Sequence, residues 1–566
     1  MATRSHRQAF LGDIATACLL ALVLACGWSL QDWHALSALR LPDTDDVMRL
    51  QQIRDWLAGQ SFTDMSQHRL GGGLAMHWSR LADLVPGAVI AALTPLTGVH
   101  AAELTAVIVW PTLLFAAALA LTGSIARTLG GGIARTAIVV AGIAYPATTI
   151  FLPGRIDHHG LQVVLLLVAI RAALSAPTLR GGLIAGVATA ASLVVGLETA
   201  PLLGVVGAVL VADWLRRGAG SEDRLRGFGI GTAGSLIAAW FVFHTDQWLY
   251  PACDGFTAIA WRAEMILALA PVAMAQVGRH FRNRVAVAAI TGVIFTGGAL
   301  LVSPGCLSPY GAVDPLLRTL WLGRVGEAQA LFAAPAATAF GYAGVMIAGL
   351  LASAWQWHRT RDLRWAALFA LQLAAVALTC MQLRGAYAGA ILAAPALAAA
   401  IAAARARGAG SLAVAWLGSA GMLYPIAAQA LAPKAAPSAR IVTGDCTGPA
   451  SLARLAALPP GRLLAPLDLG AWALPASKLA AVGAPYHRNN AGNLAVYRFF
   501  LGSDRQAAAI ASRWRVRYVA VCDDSFAELP VTPRFADQLR AGHAPAWLLP
   551  LGHREGLSLY EVAPAT

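Results

Sequence analysis

Charge is scarce in this chain. Only 13% of its 566 residues are Asp, Glu, Lys or Arg, 58% are hydrophobic, and the mean hydropathy is +0.61. A water-soluble fold does not carry so much apolar sequence, and the apolar runs repeat along its length, as in a polytopic α-helical membrane protein. Acid is the scarcer sign, with 29 Asp and Glu against 42 Lys and Arg. The excess cations gather in short loops between apolar runs, at Arg216-Arg217, Arg279–Arg284, His358–Arg364 and Arg405–Arg407. That pattern is a topology signal, and no nucleic-acid partner is expected. Cysteines are few, seven in all, and none has zinc-ligand spacing. Cys18, Cys26 and Cys380 fall in apolar runs, where they are expected to pack. Cys253 with Cys306, and Cys446 with Cys522, fall in segments placed outside the cytoplasm, and at least one pair is expected to be bridged. The first apolar run, Leu11–Leu30, has no small-residue cleavage site behind its basic start and reads as a retained helix.

The other spans are expected near 103–123, 133–152, 160–176, 182–199, 201–215, 228–243, 263–277, 284–303, 335–354, 365–382, 387–403 and 411–430, about thirteen in all. Leu84–Thr97 is shorter and carries prolines, and reads as interfacial or re-entrant. The arginine-rich loops define the cytoplasmic side. The opposite face then collects the acidic and aromatic loops. After about Ala432 the apolar runs stop. Arg462–Pro466, Val516–Val521 and Leu557–Val562 read as strands and Gln506–Trp514 as a helix. The expected layout is a transmembrane part, 1–431, with a first external loop 31–102 and a fifth external loop 304–334, followed by an extracytoplasmic α/β domain, 432–566.

Four polar motifs share the external face. Asp43, Asp45 and Asp46 precede Val47 and Arg49, where Asp is also a favoured helix cap. Gly154-Arg155-Ile156-Asp157-His158-His159-Gly160 ends an apolar run. Its Asp157 and His159 supply a hard oxygen and an imidazole nitrogen two residues apart, a common way to hold a divalent cation. In an extended turn, alternation would point His158 away from both. Val325-Gly326-Glu327 stands just before a span, and Gln382-Leu383-Arg384 at the end of another. Each has a plain alternative as a cap, a solvated loop carboxylate or an interfacial anchor. Together, carboxylates, an imidazole and a guanidinium on one face suit a cation and a phosphate leaving group. Glu198 also reaches that face and reads as structural.

With these motifs the chain resembles the catalytic subunit of oligosaccharyltransferases, within the GT-C class of polyprenyl-dependent membrane glycosyltransferases. That family has thirteen transmembrane helices, a long first external loop and a C-terminal external domain. Asp43 and Arg49 match its first-loop Asp with an Arg six positions on. Gly154, Asp157 and His159 match its Asp-x-His motif, and Glu327 and Arg384 stand where the family has a metal-binding Glu and a donor-binding Arg. The family's Trp-Trp-Asp-Tyr-Gly acceptor motif is only partly present. Pro466-Leu467-Asp468-Leu469-Gly470 keeps the Asp-x-Gly without the tryptophan pair, and His487 and Arg488 follow in a segment like the family's next one.

The resemblance implies a glycosyltransferase of the bacterial inner membrane, with its active site and C-terminal domain periplasmic. The donor would be a polyprenyl phosphate- or diphosphate-linked sugar, and the acceptor a protein, lipid or glycan. Mn²⁺ or Mg²⁺ would be held by Asp43, Asp157, His159 and Glu327. Catalytic roles would fall to Asp43, Asp45, Asp46 and Glu327, the donor phosphate to Arg384 and Arg49, and the acceptor to Asp468, His487 and Arg488. A surface-polysaccharide polymerase or ligase, and a transporter or flippase for a lipid-linked glycan, are the alternatives. No internal repeat of the kind that builds transporters is evident.

Overall fold

The computed structural model describes residues 2–130, 132–216, 220–278, 283–308, 310–431, 445–526, 529 and 534–564. The expected cytoplasmic clusters at Arg217 and at Arg279 to Arg282, and the expected domain start at Ala432, lie outside the described residues. The chain forms two compact units. The first comprises Met1–Arg40, Trp78–Pro309 and Gly326–Pro433, and the second Leu41–His77, Tyr310–Val325 and Lys434–Thr566.

The first unit is helical. Among the described residues, nine helices are long and apolar enough to cross a membrane, or ten if the bent pair Ala409–Ser419 and Leu423–Ala430 is one span. The shorter apolar helices His159–Ala173, Leu179–Val195 and Ala200–Leu215 occupy three more of the expected spans. Two expectations change. Arg80–Thr97 is an unbroken 18-residue helix of spanning length. Its polar first turn is buried because Arg80 pairs with Asp83 at 3.3 Å, and this moves the helix start four residues ahead of Leu84. The expected span 133–152 is instead a nine-residue helix, Ala134–Gly142, followed by irregular chain and a 3₁₀ turn, Ala147–Phe151. Pro146 lacks an N–H and cannot continue a helical ladder, which ends the element.

Small residues set the helix spacing. Gly182 and Gly186 face Gly227 and Gly231 across the crossing of Leu179–Val195 with Ser221–Phe243. A Cβ at Gly182 would lie 2.0 Å from the Arg224 carbonyl oxygen, and one at Gly186 would lie 2.3 Å from that of Phe228. The two backbones therefore touch, as small-xxx-small pairs allow in membranes, where dispersion rather than the hydrophobic effect draws helices together. The crossing fixes the end of Leu179–Val195 and so the loop that carries Glu198.

The second unit is α/β. Its first part holds the helix Thr44–Leu57 and a short antiparallel pair, β1 (Ser66–Gln67) and β2 (Leu74–Ala75). Its C-terminal part builds a sheet from β3 (Arg462–Leu464), β4 (Ala480–Ala481), β5 (Tyr518–Cys522), β6 (Leu548–Arg554) and β7 (Leu557–Val562). The order is β4-β3-β5-β7-β6, with β3 parallel to β4 and β5, and β7 antiparallel to β5 and β6. Val519 and Val521 of β5 pack with Phe499, Phe500, Phe535 and Tyr560 in one core. The expected strands and helix are found; the helix runs Asp504–Arg513 behind a Ser503–Gln506 capping box. The helices Leu467–Ala476 and Asn490–Leu501 and the strands β4 and β6 were not anticipated. Within this unit Arg69 ties the first-loop segment to the C-terminal part by donating to the carbonyls of Leu474, Ser477 and Leu479.

At least one bridge was expected and both pairs form one, Cys253–Cys306 in the first unit and Cys446–Cys522 in the second, with Cα atoms 4.8 and 5.7 Å apart. Cys18 and Cys26 are exposed on their helix rather than packed inside.

Two outcomes are expected. Thiol labelling of unreduced, denatured protein should count only the three free cysteines Cys18, Cys26 and Cys380, and reduction should raise the count to seven. Gly186→Leu should lower Tm of the purified protein, because overpacking costs on the order of 1–3 kcal/mol. Gly204→Leu, where an added Cβ meets nothing within 4 Å, should leave Tm unchanged. Equal melting of the two variants would contradict the backbone contact.

Candidate active site

The segment after the broken span places the first unit's site. Gly154 takes φ +92°, a left-handed value that favours glycine, and its N–H donates to the Val107 carbonyl at 2.8 Å. The chain then turns Asp157 inward and enters the helix His159–Ala173, with His158 at its N-cap in helical geometry. Asp157, His158 and His159 are all about 95% buried. The turn is not extended, so alternation does not apply and His158 does not point away. Each of the three residues offers a ligand atom within 4.8 Å of the other two.

Asp157 uses its two oxygens differently. Oδ1 accepts the His158 backbone N–H at 2.6 Å and lies 2.5 Å from His158 Nδ1. Oδ2 lies 3.4 Å from His159 Nε2, and the same nitrogen lies 3.5 Å from Glu327 Oε2. Glu327 is brought there by the pairing of two loops: the Arg384 N–H donates to the Glu327 carbonyl at 3.0 Å and the Leu383 N–H to that of Gln329 at 2.8 Å. Glu198 completes the set. Its Oε1 lies 3.2 Å from His158 Nε2 and 4.0 Å from an Arg384 guanidinium nitrogen, and its Oε2 accepts from the Gln162 amide at 2.8 Å. Gly196 leaves the room for this, since a Cβ there would sit 2.4 Å from Glu198 Oε2. Glu198 is thus part of the cluster and not remote from it. Gln162 had no local signal. It sits one helical turn after His158, with its N–H donating to the His158 carbonyl.

The electrostatics follow from the pairing. Burial pushes the Glu327 carboxyl up, but the His159 imidazole and the Arg384 guanidinium outweigh it and hold the group at about 2. Burial also raises Glu198, and His158, Arg384 and His159 together hold it well below the ordinary carboxylate range. The Asp157, Glu198 and Glu327 carboxylates thus share this site with the Arg384 guanidinium.

These donors fit a divalent cation. Two oxygen or nitrogen ligands each about 2.1 Å from an ion lie ~3.0–3.4 Å apart at octahedral or tetrahedral angles. The 3.4 Å from Asp157 Oδ2 to His159 Nε2 matches this edge, and Glu327 Oε2 stands just beyond it, 3.5 Å from the same nitrogen.

The remaining candidates lie in the second unit. Asp43 is the N-cap residue of Thr44–Leu57, yet its side chain makes no capping bond to the helix, and Thr44 Oγ1 donates to Asp43 Oδ1 at 3.1 Å. Asp45 is half-buried, while Asp46 and Arg49 are fully buried. Asp468 lines a cleft of about 430 Å³ together with Asp445, Asp523, Asp524, Trp321 and Tyr497. Burial, then the Asp43 and Asp524 charges, push the Asp468 carboxyl up. Arg488 donates to the carbonyls of Ala75 and Met76, at 3.5 and 3.2 Å, and the His487 ring packs between those of His77 and Tyr310. Both residues therefore hold chain segments together. Tyr486 does the same by donating to the Thr44 carbonyl at 3.0 Å.

A scan against protein families finds no match to this chain, and no curated protein matches it in sequence. Solved structures do match its fold. One is the archaeal oligosaccharyltransferase AglB from Archaeoglobus fulgidus in complex with an inhibitory peptide and a dolichol-phosphate, with TM-score 0.64 and 15% identity over 91% of this chain and 69% of that one. The A. fulgidus oligosaccharyltransferase in its apo form gives 0.65 and 14% over 91% and 70%. The same protein in complex with zinc and sulfate gives 0.61 and 14% over 90% and 68%. The chain therefore has a fold similar to that of the archaeal oligosaccharyltransferase, with a bundle of apolar helices in one unit and an α/β second unit.

Binding of Mn²⁺ to the native state alone should raise its stability, by about 2.7 kcal/mol at a hundred times Kd. A thermal-shift titration should show Tm rising with Mn²⁺ for the wild type and not for the Asp157→Ala/His159→Ala double variant. An equal rise in both would remove the cluster as the binding site.

Proposed function

We propose that this protein is a membrane glycosyltransferase. It moves a sugar or oligosaccharide from a polyprenyl phosphate or diphosphate donor to an acceptor on the periplasmic face of the bacterial inner membrane. The observation that carries the reading is the buried group Asp157, His158 and His159, whose ligand atoms lie within 4.8 Å of one another, with Glu327 3.5 Å from His159 and paired through its backbone with Arg384. Carboxylates and an imidazole at that spacing suit a divalent cation, and a guanidinium beside them suits a phosphate. The dolichol-phosphate in the AglB complex supports a lipid-linked donor, and the oligosaccharyltransferase structure in complex with zinc and sulfate supports sites for a cation and for an anion. Two disulfides support an oxidising compartment for the loops and domain that carry them.

Asp157, His159 and Glu327 are the residues proposed to hold Mn²⁺ or Mg²⁺. When bound, such an ion supplies Lewis-acid stabilisation of charge on the leaving phosphate. Arg384 adds a fixed positive charge for the same oxygens, already oriented by its bond from Nε to Gln382 Oε1 at 2.8 Å. Arg49 is fully buried, so Arg384 is the better candidate for the donor phosphate. Asp43 is proposed as a further carboxylate in catalysis, from its place at the start of the first external loop's helix Thr44–Leu57. Asp45, half-buried, is placed better than the fully buried Asp46 to orient or deprotonate an acceptor. Asp468, open in its cleft, is proposed to meet the acceptor. His487 and Arg488 would shape that region rather than touch the acceptor.

Purified protein given a polyprenyl-phosphate-linked sugar and an acceptor should release polyprenyl phosphate or diphosphate only with Mn²⁺ or Mg²⁺ present. Glu327→Gln and Asp157→Ala should insert normally and lower the rate roughly a hundredfold, a few kcal/mol of transition-state stabilisation. Movement of intact donor across vesicles without release would contradict the transferase reading and favour the transporter.

A further inference from the structure

We infer that His158 is a positioning residue that fixes the rotation of Asp157, and that Glu198 in turn fixes His158. This rests on the metal reading above and extends it to residues that reading does not use. The contacts form one chain. Gln162 holds Glu198 at 2.8 Å, Glu198 lies 3.2 Å from His158 Nε2, and His158 Nδ1 lies 2.5 Å from Asp157 Oδ1.

A carboxylate is symmetric about its own axis, and a free one would rotate to offer either oxygen or both. Here Oδ1 is doubly engaged, by the His158 ring and by its backbone N–H at 2.6 Å, so Oδ2 is the oxygen turned toward His159. Imidazole suits this task because its two nitrogens point in different directions from a rigid ring. Both nitrogens of His158 already face carboxylates. Direct ligation of a cation by His158 would break one of those contacts, whereas His159 keeps its Nε2 between Asp157 and Glu327. The room for Glu198 depends on Gly196, whose missing side chain would otherwise strike the Glu198 carboxylate and the Gln162 amide. Ligating carboxylates are commonly held by such outer hydrogen bonds, and losing one typically weakens metal binding about 10–100-fold.

The test is Mn²⁺ binding to the purified full-length protein, read by electron paramagnetic resonance. His158→Ala should weaken binding about 10–100-fold. His158→Asn, whose amide N–H can replace Nδ1–H at Asp157 Oδ1, should recover most of the affinity. Glu198→Ala should weaken binding less than His158→Ala. If His158→Ala fails to insert in the membrane, the Asn and Glu198 variants carry the comparison. Wild-type affinity in both His158→Ala and Glu198→Ala would overturn the inference while leaving the metal reading intact. So would a His158→Asn variant that binds poorly and has lost a nitrogen coupling, since that marks His158 as a direct ligand. No Mn²⁺ binding by the wild type would overturn both.

Discussion

Carboxylates gathered in an apolar bundle are the constraint on which the first unit depends. Asp157, Glu198 and Glu327 share one locale with the Arg384 guanidinium and the His158 and His159 imidazoles. Burying charge without compensation costs several kcal/mol per group. Of these six side chains, the fixed charges leave two negative charges to be met. Either both histidines carry protons, or a divalent cation neutralises the carboxylates and the imidazoles serve as neutral partners. Metal binding to such sites is coupled to proton release for this reason. The pairing seen here and the proposed metal centre are thus two ways of meeting one electrostatic demand.

The fold serves that demand through close backbone approach. Gly182 and Gly186 let one helix sit directly on Ser221–Phe243, and that helix ends in the Gly196–Glu198 turn. Gly154 bends the chain so that Asp157 faces inward, and the loop pairing at Glu327–Arg384 delivers the last carboxylate and the cation together. None of these devices contributes a reacting atom. Each removes a freedom that would let a charged side chain swing toward solvent. The alanine-rich helix Gly385–Arg405, which begins beside Arg384, is buried over most of its length. Arg384 is therefore anchored on one of the most enclosed helices of the first unit.

Much of this was legible before the structure, because apolar length and periodicity report directly on membrane helices. The reading faltered where local chemistry overrides length. Pro146 ended the expected span at 133–152, and the Arg80–Asp83 pair let Arg80–Thr97 begin earlier than its apolar run. Asp157, His159, Glu327 and Arg384 stand out by residue type, spacing and the family resemblance, and in the first unit they lie in one neighbourhood. Glu198 was undervalued and Gln162 unseen because their partners lie about 40 residues away, or across a helix turn, where no local pattern shows them. An extended turn would point His158 away, but the chain enters a helix at this point and brings its ring to Asp157. In the second unit the acidic cleft at Asp468 depends on strands and loops distant in sequence, so only its central Asp-x-Gly could be picked out.

The most direct test of the account is the position of a bound ion. Crystals or a cryo-cooled preparation of the full chain loaded with Mn²⁺, measured by anomalous scattering at the manganese edge, would locate it. The account predicts a single strong peak within ligand distance of Asp157 Oδ2, His159 Nε2 and Glu327, with His158 still turned to Glu198. A peak elsewhere, or none at saturating Mn²⁺, would contradict it.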